Sequence, residues 1–246
     1  MFDKCVLFGL SGIALNVNKN WEDVVAYTSN DDFRSYSSIV LPEVQPSARG
    51  DLARCDAFNQ YQEGRLTKRA YFDELVKFLW DDATLQTFEL FGAVYSSLTS
   101  MEKELVRATI GEEAHVRILR DEPVDGAGAL SYEMSEKEVD FGFIANTDET
   151  HYPLINRKFA YLGNSTCSFK VGHRKPSQEI FEACVTLGKP VVYFDTNLDN
   201  IEAAKKFGWW NSHHISSPTP IEDIRKVLDR EVNLSNLKVY DAYNDV

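Results

Sequence analysis

The chain has 246 residues, 43% of them hydrophobic, which suits one α/β domain with an inserted subdomain and argues against wholesale disorder. Acidic residues number 38 and basic ones 26, for a net charge of -12. That field repels nucleic acid and anionic membrane, so neither is an expected partner, and it opposes phosphate-bearing ligands unless a cation or a basic pocket intervenes. Cys5, Cys55, Cys167 and Cys184 have no CxxC spacing, so no zinc site is expected, and Cys5 and Cys184 read as small buried hydrophobes. With no secretory core and no run of membrane-spanning length, the chain reads as soluble, intracellular and cytoplasmic.

The first predicted element is a buried strand over residues 5–10, stopped by Ser11-Gly12. Residues from about 17 to 110 lack strand character and read as helical. In Thr67–Trp80 the N-cap is Thr67, and Phe72, Leu75, Val76 and Leu79 share one face. Tyr71, Phe78 and Trp80 lie off that face, which points to a covering partner such as another subunit. Thr99 and Glu102 form a capping-box pattern for a helix over Met101–Thr109, ended by Gly111.

Pro123–Gly128 reads as a loop, followed by a helix at about Ala129–Glu138 and a second buried strand, Phe141–Ala145. Pro176 introduces a helix over Ser177–Leu187, and Pro190 precedes the apolar strand Val191–Phe194. A helix over Asp199–Phe207 ends at Gly208, and Trp209–Ile215 reads as an edge strand. Thr219-Pro220-Ile221-Glu222 combines an N-cap, a first-turn proline and a capping-box glutamate for a last helix to about Arg230. Strands alternating with helices in this half predict a parallel sheet with crossovers, and the helical block after the first strand is then an insertion.

Four segments carry a family pattern in order: Phe8-Gly9-Leu10-Ser11-Gly12-Ile13, Ile144-Ala145-Asn146-Thr147, Gly172-His173-Arg174-Lys175-Pro176, and Asp195-Thr196-Asn197-Leu198-Asp199-Asn200 with Gly208. Together they resemble the four motifs of the haloacid dehalogenase (HAD) superfamily of phosphohydrolases. The stretch Asn146–His151, and Gln62–Thr67 with Tyr71, Phe72 and Leu75, resemble a narrower branch. That branch comprises the small-cap sugar phosphatases and the phosphatase domain of soluble epoxide hydrolases. The resemblance implies a HAD-like Rossmannoid parallel sheet, with a core of residues 1–15 and 111–246 and a helical cap over residues 16–110.

It also implies a reaction whose parts can be checked. The family uses an aspartate nucleophile that forms an aspartyl-phosphate, an acid/base two residues later, and a hydroxyl in the second motif. A lysine lies in the third motif, and Mg²⁺ is held by the nucleophile, a backbone carbonyl and a fourth-motif carboxylate. Here the nucleophile position is Gly9, the acid/base position Ser11 and the hydroxyl position Ala145, while Thr196 replaces a second fourth-motif aspartate. Lys175 and Asp195 remain, and Lys175 is expected to pair with Asp195. Asn146 and Lys175 are the groups that could hold a ligand, and Asp195 and Asp199 those that could hold a metal. One or two carboxylates make a poor Mg²⁺ site, so no cofactor is expected.

Thr147, two residues beyond Ala145, is not expected to replace the missing hydroxyl. His151 and His173 read as surface or loop residues, and of His213-His214 at most one faces any ligand. The leading expectation is a catalytically silent pseudophosphatase that binds a protein, either a second copy or a HAD-like paralogue. The alternatives are a hydrolase with an atypical site built on Asp195, Asp199 and Lys175, and a sensor that binds a phosphorylated metabolite.

Overall fold

The computed structural model describes residues 5–17, 56–80, 99–101, 112–116, 119–158, 164–184 and 190–234. The strands are β1 (Cys5–Gly9), β2 (Leu15–Val17), β3 (Leu119–Pro123), β4 (Asp140–Ala145), β5 (Asn164–Cys167), β6 (Pro190–Asp195) and β7 (Ser212–His214). The helices are α1 (Asp56–Gln62), α2 (Lys68–Trp80), α3 (Glu113–Val116), α4 (Ala127–Glu136), α5 (His151–Lys158), α6 (Ser168–Val171), α7 (Gln178–Cys184), α8 (Leu198–Phe207) and α9 (Pro220–Glu231). The chain divides into two compact units. One comprises Met1–Asn16, Asp121–Asp148 and Tyr152–Val246, the other Val17–Arg120 and Glu149–His151. Among the described residues no helix is long and apolar enough to cross a membrane.

The first unit is built on a five-stranded sheet of order β5-β4-β1-β6-β7, with every pairing parallel. β1 lies at its centre and is buried along its whole length, which is why its sequence is a continuous apolar run and not an alternating one. On one face Phe8 lies between Phe143 and Phe194, with ring centroids 5.5 and 5.4 Å away. On the other face Leu7, Ile144 and Tyr193 pack with Ile180 and Phe181 of α7, Ile201 and Ala204 of α8, and Trp209. β2 and β3 form a separate two-stranded ribbon.

Several boundaries differ from the sequence expectation, each for a local reason. α4 begins at Ala127, directly after the Asp125-Gly126 turn, so the expected loop to Gly128 closes two residues early. Thr219 makes no side-chain cap on α9; its own backbone N–H donates instead to Ser217 Oγ at 3.2 Å. Thr67 does cap α2, its Oγ1 accepting from Ala70 N at 3.3 Å. β5 (Asn-Ser-Thr-Cys) and β3 (Leu-Arg-Asp-Glu-Pro) escaped prediction because neither has an apolar pattern. β5 is an edge strand held by backbone pairing to β4, which needs no such pattern. α5 and α6 were likewise not expected, and the predicted helix over Met101–Thr109 lies largely outside the described residues.

The second unit has an aromatic nucleus of its own. Tyr61 of α1 stacks on Tyr71 of α2 at 4.3 Å, and the Tyr71 hydroxyl is hydrogen-bonded to His115 Nδ1 at 2.8 Å. His151 stacks on His115 at 3.9 Å and its Nε2 hydrogen-bonds to the His115 carbonyl at 2.7 Å. Tyr71 is therefore fully buried by its own chain, which corrects the expectation that it awaits a partner. The side chains of Phe78 and Trp80 lie outside the described set.

Tyr71→Phe keeps the ring stack and deletes one buried hydrogen bond, so it should cost about 1–3 kcal/mol, whereas Tyr71→Ala also empties the stack and should cost about 3–5 kcal/mol. Urea unfolding followed by circular dichroism measures both.

Candidate functional site

In an open parallel sheet, ligands bind beyond the carboxyl ends of the strands. β4, β1 and β6 are neighbours, and their last residues are Ala145, Gly9 and Asp195. All the motif residues discussed below belong to the first unit.

Asp195 is the hub. Its side chain is 5% exposed, and the 6%-exposed side chain of Lys175 places Nζ 2.7 Å from Oδ2. The same oxygen accepts from the Tyr193 hydroxyl at 2.5 Å and from Asn200 Nδ2 at 3.1 Å. Oδ1 accepts from the Asn197 backbone N–H at 2.8 Å. Both oxygens are thus engaged by donors, three on one and one on the other. Burial pushes the Asp195 carboxyl up, but the Lys175 charge and the hydrogen bonds from Lys175, Tyr193 and Asn197 prevail and hold it below the usual carboxylate range. Burial, then the Asp195 charge and its hydrogen bond, drive the Tyr193 hydroxyl well above the usual tyrosine value. Tyr193 therefore remains a donor across the neutral range.

Gly9 is where this hub meets the family pattern. A Cβ on Gly9 would lie 2.5 Å from Asp195 Oδ2 and 2.8 Å from its Cγ, closer than real Cβ contacts come. The carboxylate of Asp195 occupies the space that a residue-9 side chain would leave through. Gly12 adopts φ +75°, and a Cβ there would stand 3.0 Å from Thr196 Cγ2. Thr196 itself donates from Oγ1 to the Ser11 carbonyl at 3.0 Å, fastening the turn after β1 to the turn after β6. The Ser11 side chain is exposed.

Asn146 braces Lys175 rather than facing outward. Its Oδ1 accepts from Lys175 N at 2.8 Å and its Nδ2 donates to Lys175 O at 3.0 Å, beside a cis Lys175-Pro176 bond. Ala145 is buried. The backbone of Thr147 is tied at both ends to Ser168 Oγ, at 3.0 and 2.8 Å. Asp199 is exposed in the first turn of α8, its N–H held by the Asn197 side chain at 2.8 Å. His173 is partly exposed and 3.9 Å from Glu179. His213 is bonded to Asn211 and the exposed His214 to the Thr196 carbonyl. His151, expected at the surface or in a loop, is buried in the second unit. Burial is the main cause that pushes the Cys5, Cys167 and Cys184 thiols up to about 11, so none of these supplies a thiolate at neutral pH.

Sequence reasoning missed Tyr193, Asn197 and Asn200 as members of the hub. A signal existed for two of them. Tyr193 is the polar residue within an apolar strand, two positions before Asp195 and so on the same face. Asn197 precedes a helix, where its type is favoured as a cap. Nothing local marks Asn200, whose role depends on where α8 sets it.

The architecture is a mixed α/β fold of the HAD type. No protein-family model and no curated protein sequence matches the chain. Among solved structures it is similar to a HAD family enzyme from Bacteroides thetaiotaomicron, with a TM-score of 0.59, 15% identity, and 92% of this chain and 99% of that one covered. A predicted HAD-like family hydrolase from Porphyromonas gingivalis also gives 0.59 at 15% identity, over 93% and 98%. A 2-haloacid dehalogenase from Pseudomonas syringae gives 0.56 at 14%, over 94% and 99%. The Bacteroides enzyme has also been solved with magnesium and inorganic phosphate bound. At these identities the likeness establishes the fold.

Gly9→Ala should cost about 1–3 kcal/mol, because the new methyl displaces a carboxylate locked by its donors. Lys175→Met should cost about 3–5 kcal/mol by leaving that carboxylate buried without its counter-charge. Both are read as shifts in the denaturant midpoint. The depressed Asp195 pKa means that its contribution is fully present above the unfolded value of about 4 and is lost as pH falls through the lower folded value. The acid limb of stability against pH should therefore be shallower in Asp195→Asn than in the wild type.

Proposed function

We propose that this HAD-fold chain is a pseudophosphatase: a catalytically silent subunit that works by binding protein, in an oligomer with itself or with another HAD-like chain. The observation that carries the reading is the encounter of Gly9 with Asp195. The position from which the family attacks phosphorus has no side chain, and the room a side chain would need is filled by the Asp195 carboxylate. Loss of a catalytic nucleophile costs about 10⁶ in rate where residues act as a unit.

The remaining parts support the same reading. Ala145 has no hydroxyl for a phosphoryl group, and the Lys175 ammonium is committed to Asp195. Asp195 and Asp199 do not fit a Mg²⁺ site. Both oxygens of the first are already met by donors, and a hard divalent ion requires a near-octahedral shell of oxygens. The scaffold around these positions is nevertheless preserved, with a buried central strand and a fully tied sheet end. Selective loss of chemistry on a kept fold is what a binding role would tolerate. Trp210 and Tyr132, 77% and 67% exposed, are aromatic side chains of the kind that interfaces recruit.

The purified chain should hydrolyse p-nitrophenyl phosphate and sugar phosphates with Mg²⁺ no faster than buffer, and Gly9→Asp should not restore activity. Ordinary phosphatase turnover by the wild type would overturn the reading. Native mass spectrometry of the chain taken from its own cell should show a mass above that of the single chain, with any co-purifying subunit identified. A monomer with no stable partner would remove the scaffold role.

A further inference from the structure

His115 and His151 are buried among aromatic rings. Tyr71 lies 5.0 Å, Tyr61 5.6 Å and Phe72 5.7 Å from the His115 ring, centroid to centroid. Asp148, three residues before His151, is fully buried as well, and its carbonyl accepts from Tyr152 N at 3.0 Å at the entry to α5. Buried ionisable groups are paired, hydrogen-bonded or bound to a metal. One ligating atom from each of His115, Asp148 and His151 lies within 4.8 Å of the others. In a tetrahedral zinc shell with bonds of about 2.1 Å, neighbouring ligand atoms stand about 3.3 Å apart, so small side-chain rotations close the site. The hydrogen bonds already present orient both rings. His151 Nε2 faces the His115 carbonyl at 2.7 Å. A carbonyl only accepts, so Nε2 carries the proton and the neutral ring has its lone pair on Nδ1. His115 Nδ1 faces the Tyr71 hydroxyl at 2.8 Å, and when Nδ1 donates to it the His115 lone pair is on Nε2. A backbone carbonyl or a hydroxyl behind each imidazole is the kind of outer partner that a metal-bound histidine keeps.

We propose that His115, Asp148 and His151 form a zinc site, holding one Zn²⁺ through two imidazole nitrogens and one carboxylate, with a water completing the shell. Nitrogen donors select a transition-metal ion over Mg²⁺. The carboxylate offsets one of the ion's two charges, and the chain's net charge of -12 favours the other. Cysteine spacing excludes a thiolate zinc site and has no bearing on a site made of imidazoles and a carboxylate. The ion braces α3 against the start of α5. None of Gly9, Lys175 and Asp195 takes part, so the site is independent of the silent-scaffold reading.

The test uses the full chain, stripped with EDTA and titrated with ZnCl₂. The wild type should take up one Zn²⁺ per chain by isothermal titration and gain roughly 5 °C in Tm at saturation. Its zinc X-ray absorption spectrum should show imidazole scattering and no sulfur. Asp148→Asn and His151→Gln should each weaken Zn²⁺ binding by roughly 100-fold or more. A triple variant, His173→Gln with His213→Gln and His214→Gln, removes the other three of the five histidines and should bind as the wild type does. A wild type that takes up no Zn²⁺ overturns the proposal, as does loss of the ion in the triple variant. Both results decide the matter even where Asp148→Asn or His151→Gln fails to fold. Folded Asp148→Asn and His151→Gln chains that keep the wild-type affinity overturn it as well. The two readings fail separately: phosphatase turnover would remove the silent scaffold and leave this site, and absence of zinc uptake would do the reverse.

Discussion

The buried charge pair of Lys175 and Asp195 is the constraint around which the carboxyl end of the sheet is arranged. An isolated carboxylate in a protein interior is costly unless it is paired and hydrogen-bonded. Here its donors come from separate places: Lys175 follows α6, Tyr193 lies on β6, and Asn197 and Asn200 begin α8. Meeting the needs of one side chain therefore fixes several loops at once. The asymmetry of buried pairs adds to this, because losing either partner costs far more than the intact pair contributes. A position such as Lys175 can be retained for that reason alone, without any substrate to bind.

The fold was legible in the sequence where burial acts on both faces of an element, and illegible where it acts on one or none. β1 and β6 are continuous apolar runs because both of their faces are buried, one of them against α7 and α8, and both were readable from that pattern alone. β5, at the sheet edge, and β3, in a short ribbon, are held by backbone pairing that leaves no mark on composition. The site divides in the same way. The motif positions Gly9, Ala145, Lys175 and Asp195 were visible because the family order places them at the ends of strands. The donors to Asp195 were harder to see, since Asn200 becomes relevant only after α8 sets its amide toward the carboxylate. Tyr71 illustrates the opposite error. An aromatic residue off the main face of its helix suggested an outside partner, but stacking on Tyr61 and a bond to His115 satisfy it within the second unit.

Electrostatics at two scales lead to a consistent picture. The chain as a whole is strongly acidic, with a net charge of -12, so a phosphorylated ligand would need a local concentration of positive charge to overcome the general field. Lys175 is a cation at this sheet end, and its charge is already paired with Asp195. The Asp195 carboxyl stays ionised down to unusually low pH while Tyr193 stays protonated to unusually high pH, so the network holds one protonation pattern across the whole neutral range. A catalytic pair works by having protons that move near neutral pH. These two groups are displaced in opposite directions away from it, which suits a structural brace.

The steric relation of residues 9 and 195 bears on how far such a site stands from catalysis. A motif that had lost its nucleophile by a single change would leave a vacancy, and the lost residue could be restored to it. Here the vacancy is taken: a mere methyl on Gly9 would fall within 2.5 Å of the Asp195 carboxylate. A larger acidic side chain would also bring like charge against like in a buried setting, with one lysine to balance both. To return a nucleophile, Asp195 would have to swing away, which breaks its bonds to Lys175, Tyr193, Asn197 and Asn200 together. The absence of a side chain at residue 9 and the present placement of Asp195 are thus a single packing solution. Placing any side chain at residue 9 would require concerted change at Asp195 and in the donors around it, so the two positions are coupled through the packing of the core itself.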